Sequence, residues 1–231
     1  MYNLERQTEI LNILEKNKSI SVSKLSEILY VSAPTVRRDL TILERQGRVL
    51  RTHGGVVLKQ TAEKEIPLIL REDQNSSSKK IIAQKAIQHI NNGDVIFLDA
   101  SSTVAHMIPY LKNFKDIVVV TNSPQTSIRL GNENIKNYCT GGLLLLHSIA
   151  YVGSDAEKFI SNINANIFFF SSRGYVENEN ITDSSIEESA IKKAMLKNSE
   201  KSFYLCDNSK KNKKYIYNIC NTKDVTEIIT E

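Results

Sequence analysis

The sequence predicts an α/β protein in two parts, a small winged helix-turn-helix followed by a larger, mostly parallel α/β domain. Residues 1–60 contain three short amphipathic helical patterns and then a hairpin pattern, whereas the chain beyond residue 78 alternates apolar runs with helical segments. Charge separates the same two parts, because residues 1–60 hold 10 Lys and Arg against 6 Asp and Glu and thus the whole formal net charge of +4. This excess of basic residues indicates that the first part of the chain faces an anion, whereas the second part is neutral.

The composition excludes several classes of protein. With 41% hydrophobic and 24% charged residues in 231, the chain is typical of a globular protein rather than a disordered or collagen-like one. Its three cysteines, Cys139, Cys206 and Cys220, form no C-x-x-C pair and predict neither a disulfide framework nor a zinc site. The sequence has no signal-peptide pattern and no apolar run near the roughly 18 residues of a membrane span. We therefore expect a cytoplasmic protein that uses no membrane, metal or cofactor.

The three N-terminal helical patterns are delimited by residues that favour helix ends. The second pattern opens after Ser21 and the third after Ser32, and both serines are good N-cap residues. Only Tyr30 and Val31 separate these two patterns, and a turn this short holds two helices at a steep angle, as in a helix-turn-helix. The following segment, RVLRTHGG, predicts a hairpin wing. Residues 1–57 are thus predicted to form a winged helix-turn-helix.

The third helical pattern carries the residues suited to DNA. Its apolar side chains fill one face and leave Thr35, Arg37 and Arg38 on faces that DNA can reach. The N-terminal part of this helix enters the major groove in a helix-turn-helix, and an arginine there can donate two hydrogen bonds to guanine. The alternative is that the arginines only make the helix soluble and pair with Asp39 and Glu44. The predicted base contacts are Thr35 and Arg38, the predicted phosphate contacts are Lys24, Arg37, Arg48, Arg51 and His53, and Ser32 and Thr41 complete the DNA-facing set.

The second part begins after a polar connector. Residues 58–76, which lead into the run NSSSKK at residues 75–80, are predicted to be a linker. Residues 77–231 then present the apolar segments VIFLDA, IVVVTN, KNYCTGG, NIFFFSS and SFYLCD, separated mainly by helical segments. This alternation predicts βαβ units and a parallel sheet.

Three of the predicted strands end in turns rich in hydroxyl groups or glycine. These turns are Ser101-Ser102-Thr103, Thr121-Asn122-Ser123 and Thr140-Gly141-Gly142. Ligands of open parallel sheets bind beyond the carboxyl ends of the strands, and backbone N–H groups at helix starts favour phosphate there. Lys210, after the strand SFYLCD, can add a full positive charge. The alternative is that each serine or threonine only caps a helix.

Two long stretches of the chain resemble one known family. The run ISVSKLSEILYVSAPTVRRDLTILERQGRVLRTHGGV resembles the DNA-binding segment of DeoR-type transcriptional regulators, with its V-S-x-x-T-[VI]-R-R-D-L core and R-x-H-G-G end. The segments GDVIFLDASST, VVVTNS, TGG, YVG, EESAIKKAML and CDNSK resemble the effector domain of that family, which is similar in fold to sugar-phosphate isomerases and coenzyme A transferases. The resemblance implies a double-stranded DNA operator and a phosphorylated sugar as effector.

The resemblance also implies further effector-binding residues. Asp99, Asp183 and Glu187 correspond to places where the isomerase relatives keep acidic groups. Lys210 corresponds to a place where they keep a basic group. Carboxylates there could orient sugar hydroxyls in a regulator or move protons in an enzyme. The complete effector-binding set is predicted to be Asp99, Ser101, Ser102, Thr103, Thr121, Asn122, Ser123, Gly141, Gly142, Arg173, Asp183, Glu187 and Lys210.

These features together predict a sequence-specific DNA-binding regulator of carbohydrate metabolism genes, of the repressor type, that responds to a phosphorylated sugar. One small DNA-binding module reads few bases, so we expect a homo-oligomer, either a dimer or a tetramer, that spans repeated half-sites. The main alternative is a sugar-phosphate isomerase-like enzyme that carries an added DNA-binding module, although no paired general acid and base is evident. Another alternative is a DNA-associated protein that binds no ligand.

Overall fold

The computed structural model describes residues 3–17, 19–45, 48–52, 55–58 and 68–231. The chain divides into two compact units, unit 1 (residues 1–64) and unit 2 (residues 65–231). Each unit encloses apolar clusters of its own. None of the helices in the described ranges is both long and apolar enough to cross a lipid bilayer.

Unit 1 has the predicted helices and wing. Its elements are α1 (Asn3–Asn17), β1 (Ser19–Ile20), α2 (Val22–Leu29), α3 (Ala33–Arg45), β2 (Val49–Thr52) and β3 (Gly55–Leu58). Strands β2 and β3 form the antiparallel wing, and β1 adds a third strand on the other side of β3. Strand β1 was not predicted, because two residues are too few to show an alternating pattern.

The ends of α2 follow the chemistry that the sequence indicates. The Ser21 hydroxyl accepts a hydrogen bond from the backbone N–H of Lys24 at 3.2 Å and so caps the helix. Tyr30 ends the helix in the left-handed region, with φ of 53°. The apolar faces of α2 and α3 pack on α1 and the wing around Leu25, Leu40 and Val56, all of which are fully buried.

Unit 2 is a parallel α/β domain with two small additional sheets. Its elements, in chain order, are α4 (Leu68–Asp73), α5 (Ser76–Ala86), a 3₁₀ turn (Ile87–His89), β4 (Val95–Leu98), α6 (Ser102–Ala105), α7 (Ile108–Leu111), β5 (Val118–Thr121), α8 (Pro124–Asn132), β6 (Asn137–Cys139), β7 (Leu143–Leu145), β8 (Ala150–Val152), α9 (Ser154–Ser161), β9 (Ala165–Phe170), β10 (Gly174–Tyr175), β11 (Asn180–Asp183), α10 (Ile186–Lys197), β12 (Ser199–Leu205), a second 3₁₀ turn (Asn208–Lys210), β13 (Tyr217–Asn221) and β14 (Glu227–Ile229).

The main sheet has six strands in the order β14-β12-β9-β4-β5-β6, and all of its pairings are parallel. This confirms the predicted parallel sheet. Buried side chains cover both of its faces, with Ile96 and Val119 in one cluster and Phe97 and Val120 in the other. The order reverses at β4, since β5 lies on one side of it and β9 on the other. Ligands of open α/β sheets bind at such a switch point.

Unit 2 contains elements that the sequence did not predict, including the short strands β7, β8, β10 and β11. Residues 68–73, within the predicted connector, form α4, whose Leu68 is buried. Helix α9 was not predicted, because its two turns give too short a periodic pattern. Two short strands follow β12 and belong to different sheets, since β14 joins the main sheet and β13 joins the antiparallel sheet β10-β11-β13.

Candidate functional site

The exposed face of α3 carries the side chains expected to meet DNA. Arg37 and Arg38 are exposed and Thr35 is half-buried, while Val36 and Leu40 are buried against unit 1. The hydroxyls of Thr35 and Ser32 lie 2.9 Å apart at the start of the helix. The helical period thus separates a cationic face from an apolar one.

Asp39 does not neutralise these arginines. It is fully buried and accepts hydrogen bonds from Arg6 on α1, at 2.6 Å from Nε and 3.2 Å from Nη2. Gln7 donates to the same carboxylate at 3.4 Å. The alternative in which α3 pairs its arginines with Asp39 is therefore wrong, because the Asp39 side chain points towards α1. The ion pair between Asp39 and Arg6 joins α3 to α1 and so fixes the position of the helix that presents Arg38.

The other residues of the DNA-facing set are spread over α2, α3 and the wing. Lys24 is exposed and lies 2.9 Å from Glu27, an exposed pair that contributes little to stability. Arg51 is exposed on β2 and Arg48 is half-buried just before it. The Thr41 hydroxyl donates to the Arg37 carbonyl at 2.8 Å. His53 lies outside the described residues.

Unit 2 contains a polar cavity of about 230 Å³ at the carboxyl ends of β4, β9 and β12, where the strand order reverses. This volume is small beside the roughly 300–1,000 Å³ of drug-sized ligand pockets, so it suits a small ligand. Six basic and three acidic side chains line the cavity, namely Arg71, Lys79, Arg173, Lys192, Lys210, Lys213, Asp183, Glu188 and Asp207. The excess of basic groups favours an anion.

Two lysines define one side of the cavity, Lys79, which is buried, and Lys210, which is half-buried. Lys79 of α5 donates to the Ser102 hydroxyl at 3.0 Å, and Lys210 donates to the hydroxyls of Ser171 at 2.6 Å and Thr103 at 3.4 Å. Burial, and then the nearby charge of Lys210, lower the pKa of Lys79 to about 8. Burial also lowers the pKa of Lys210. A bound anion would stabilise the charged forms of both lysines, so this side is suited to a phosphate.

The other side is a buried ion cluster around Lys192 of α10. Its Nζ lies 2.9 Å from Asp183 Oδ2, 3.5 Å from Glu188 Oε2 and 4.0 Å from Asp99 Oδ2. Burial acts to lower the pKa of Lys192, but the three carboxylates hold that pKa above its ordinary value. Burial likewise acts to raise the pKa of Glu188, but the Lys192 charge, together with the nearby polar groups of His147 and Ser148 and the charge of Arg71, keeps that pKa well below its usual range. Charged acceptors for ligand hydroxyls therefore line this side.

Asp99 lies beneath the cavity and connects two of its loops. Its carboxylate accepts hydrogen bonds from the backbone N–H groups of Ser101 at 3.0 Å and Ser171 at 3.1 Å. The loops after β4 and β9 are thereby held side by side. Burial raises the pKa of Asp99, and the Lys192 charge opposes that rise.

The structure brings part of the predicted effector set together. Five of its members line the cavity, namely Ser101, Ser102, Arg173, Asp183 and Lys210. Thr103 contacts Lys210, and Asp99 lies beneath the cavity. Glu187 is exposed and accepts a hydrogen bond from the Ser185 hydroxyl at 2.9 Å, whereas its neighbour Glu188 lines the cavity. Successive helical side chains point about 100° apart, so one position separates the surface from the site.

The turns after β5 and β6 do not line the cavity. Ser123 caps α8 by accepting from the backbone N–H of Thr126 at 3.2 Å, and Thr121 Oγ1 accepts from the N–H of Ser123 at 3.1 Å. Asn122 bonds to the backbone of Tyr151 in both directions. Gly142 has φ of 109°, and a Cβ there would lie 2.6 Å from the Val152 carbonyl oxygen. With Gly141, it leads into β7. These turns lie on the far side of β4 from β9 and β12.

Sequence reasoning missed several cavity residues, including Lys79, Glu188 and Lys192. Lys79 falls in the run NSSSKK, which reads as a connector. Lys192 offered a signal, since it shares the buried face of α10 with Ser189 and Met195. A lysine on such a face needs a partner for its charge. Among the described residues, no three His, Cys, Asp or Glu side chains are grouped so as to hold a metal ion.

Comparisons with known proteins divide the chain in a similar way. Residues 6–62 match the family model described as "DeoR-like helix-turn-helix domain", and residues 74–231 match the one described as "DeoR C terminal sensor domain". The chain is 37% identical over 228 residues to the "Uncharacterized HTH-type transcriptional regulator YulB" of Bacillus subtilis, covering 98% of this chain and 88% of that protein. It is 33% identical over 229 residues to the "L-fucose operon activator" of Escherichia coli, covering 98% and 94%.

A solved structure shares the fold at low sequence identity. The chain is similar to eIF2B delta from Chaetomium thermophilum, with a TM-score of 0.51 and 18% identity. The similarity covers 70% of this chain and 58% of that chain. It shows a shared fold alone.

Proposed function

Because the chain belongs to the DeoR family of transcriptional regulators, we propose that α3 reads operator DNA and that a phosphorylated sugar in the cavity of unit 2 controls that binding. In this proposal the protein represses genes of carbohydrate metabolism and the effector releases it. A relative in Escherichia coli is named an operon activator. Measuring operator affinity with and without effector distinguishes repression from activation. The effector should release the proposed repressor from the operator, whereas an effector-dependent activator would bind the operator more tightly.

The observation that carries the DNA-binding role is the α3 face with exposed Arg38 and half-buried Thr35, on a helix anchored by Asp39 and Arg6. The two side chains lie three residues apart and project from the same side of α3. An arginine at the start of such a helix can donate to guanine O6 and N7. Arg37, Arg51 and Lys24 are exposed on the same unit and are suited to phosphates.

Replacing Arg38 by alanine tests this role. We expect Arg38→Ala to reduce the preference for operator over random duplex by roughly 1–3 kcal/mol, measured by fluorescence anisotropy with an operator selected from a random pool. Arg45→Ala, at the exposed C-terminal end of the same helix, is the control and should weaken both DNAs to a similar extent. An equal loss on both DNAs for Arg38→Ala would refute base reading by this residue.

The two sides of the cavity support a sugar phosphate as effector. Lys79 and Lys210 supply charged donors for a phosphate, while Asp183 and Glu188 supply charged acceptors for hydroxyl groups. A phosphate alone would use only the first side, and an unphosphorylated sugar only the second. Binding both groups of one small molecule uses the whole cavity.

A calorimetric panel of sugars and their phosphates tests the ligand class. We expect phosphorylated sugars to bind and their unphosphorylated counterparts to bind at least about tenfold more weakly, because a charge-assisted hydrogen bond contributes roughly 1.5–3 kcal/mol. Lys210→Met should lose that preference. Lys211→Met, at an exposed neighbour that pairs with Glu177 at 3.0 Å, should keep it. Equal affinity for both ligand classes in the unmodified protein would contradict the proposal.

Control of DNA binding by the effector is proposed to occur by linkage. The effector would favour an arrangement of paired DNA-binding modules that fits the operator poorly, and a coupling of roughly 1–3 kcal/mol would change operator affinity about 5- to 150-fold. Half-sites spaced by one helical turn need at least two modules. The proposal therefore includes a homo-oligomer, a dimer or a tetramer.

We propose no catalytic role for the cavity. An isomerase that works by proton transfer needs a base that accepts and returns a proton near neutral pH, and Asp183 and Glu188 are the carboxylates beside the cavity's ion cluster. The Lys192 ammonium lies between Asp183 and Glu188, and the pKa of Glu188 is held well below its usual range. Incubation of the full chain with the sugar phosphates that bind should therefore give no isomer detectable by NMR, and turnover would reinstate the enzyme alternative.

A further inference from the structure

The segment from β6 to β8 is unusual in its composition. Residues 137–153 contain no Lys, Arg, Asp or Glu, although 24% of the whole chain is charged. They include four consecutive leucines, Leu143 to Leu146. An uncharged stretch of this length, in a chain so rich in charge, indicates a surface that contacts another molecule as well as water.

The hairpin β7–β8 exposes most of these leucines. Leu143 is 66%, Leu144 38% and Leu146 81% exposed, whereas Leu145 packs against the core. Tyr138, on the adjoining edge strand β6, is 46% exposed. We call these four exposed side chains, Tyr138, Leu143, Leu144 and Leu146, the leucine patch.

The hairpin is held firmly by the rest of unit 2. The backbone N–H of Tyr151 donates to the Asn122 carbonyl at 2.7 Å, and the Asn122 side chain donates to the Tyr151 carbonyl at 3.0 Å. At the turn, the His147 carbonyl accepts from the backbone N–H of Leu68 at 3.0 Å. These hydrogen bonds, and the packing of Leu145 against the core, hold the hairpin in place. The leucine patch therefore stays exposed on the surface of unit 2.

The size of the leucine patch fits the apolar centre of a protein interface. At on the order of 100 Å² for each large apolar side chain, its exposed fractions amount to roughly 250 Å². That is about a third of the roughly 800 Å² that each partner contributes to a standard interface. The fully buried centre of such an interface is depleted in charged residues, as residues 137–153 are.

We propose that the leucine patch and β6 form a docking surface for a second copy of this chain. Within the described part of the chain, β6 pairs only with β5 and is an outer strand of the main sheet. An uncharged apolar surface is complementary to itself, so a two-fold axis can bring two identical patches together. The surface goes beyond the proposed DNA and effector sites, and it supplies the paired modules that half-site recognition needs.

Sedimentation equilibrium of the full chain tests the proposal. The unmodified protein is expected to be a dimer or larger at micromolar concentration. The double substitution Leu143→Glu with Leu146→Glu places like charges across the two-fold axis, and we expect it to raise the dissociation constant at least about 100-fold. Ile216→Glu is the control, because Ile216 is 77% exposed elsewhere in unit 2, and its mass should equal that of the unmodified protein.

A crosslinking measurement covers the case in which the double variant fails to fold. Near a two-fold axis a residue faces its own copy, so Leu146→Cys should form a covalent dimer with a short bismaleimide at dilute protein concentration. All three chains in this comparison carry Cys139→Ser, because Cys139 lies on β6 within the proposed surface. Ile216→Cys and the chain without an added cysteine, which keep Cys206 and Cys220, give the background. A monomeric unmodified protein, an unchanged mass for the folded double variant, or no more dimer from Leu146→Cys than from the controls would overturn the proposal.

Discussion

The two charged surfaces of this protein are built in opposite ways. On α3 the arginines Arg37 and Arg38 are exposed and come from one helix. In the cavity Lys79 and Lys192 are buried and Lys210 is half-buried, and the three come from separate elements. Exposed charges are solvated and cost the fold little. Buried charges need partners, so the cavity is tied to the stability of its unit in a way that the α3 face is not.

Removing the Lys192 charge should have the largest effect. Lys192→Met leaves buried carboxylates without their cation, and we expect the free energy of unfolding to fall by about 3–5 kcal/mol, measured by urea unfolding followed by circular dichroism. Lys193→Met, at the exposed neighbouring position, should stay within about 0.5 kcal/mol of the unmodified protein. Equal stability of the two variants would remove the contrast between buried and exposed charge.

Asp39 is the exception in unit 1, because it is a buried charge on the helix that carries the exposed arginines. It is fully buried, and its loss removes charge-assisted hydrogen bonds from Arg6, which retains some access to water. We expect Asp39→Ala to destabilise unit 1 by about 1.5–3 kcal/mol. Hydrogen exchange should speed up at core amides such as Leu40 and stay unchanged at Phe97 of unit 2. Arg45→Ala should change neither amide, and protection of Leu40 that survives Asp39→Ala would show that the ion pair does not hold α3.

The low pKa of Lys79 predicts how pH acts on the cavity but not on α3. With a pKa of about 8, Lys79 is protonated at pH 7 and loses its charge as pH rises through 8. A phosphate monoester is mostly dianionic above about pH 6, so its own charge changes little in that range. We expect sugar-phosphate affinity to fall about tenfold, or roughly 1.4 kcal/mol, between pH 7 and pH 9. Calorimetry on Lys79→Met should show weaker binding without this alkaline fall, and the same fall in the variant would assign it to another group.

Tyr30 gives the smallest expected effect, and its sign is opposite. The residue ends α2 with φ of 53° and is 95% exposed, so glycine removes backbone strain without removing packing. We expect Tyr30→Gly to stabilise unit 1 by about 0.5–1 kcal/mol. Ile28→Gly, inside the same helix, should destabilise it by about 1 kcal/mol. Hydrogen exchange at Leu40 measures both, and destabilisation by Tyr30→Gly would mean that the tyrosine side chain makes a stabilising contact.

The contrast between the exposed α3 face and the buried cavity also explains which site residues could be predicted from the sequence. The α3 face was predictable, because helical spacing within a few residues separates Arg37 and Arg38 from Val36 and Leu40. The parallel sheet was predictable from its apolar runs, and Lys210 from its place after β12. These are local patterns.

The composition of the cavity needed the fold. Lys79 and Ser102 are 23 positions apart in the chain, and Lys210 and Thr103 are 107 apart. Only the strand order decides that the loops after β4 and β9 meet while the turn after β5 lies elsewhere, so no local signal separated Ser101 from Ser123. Glu188 was missed by one position, because burial at a helix start depends on how the helix packs.

Operator binding under effector titration shows whether an anion in the cavity controls the DNA affinity of α3. With the sugar phosphate that binds most tightly, fluorescence anisotropy should show operator affinity falling about 5- to 150-fold for the unmodified protein. Lys210→Met should bind the operator normally and require a much higher effector concentration, while Lys211→Met should match the unmodified protein. An operator affinity that saturating effector leaves unchanged, or an equal response in Lys210→Met, would contradict the account.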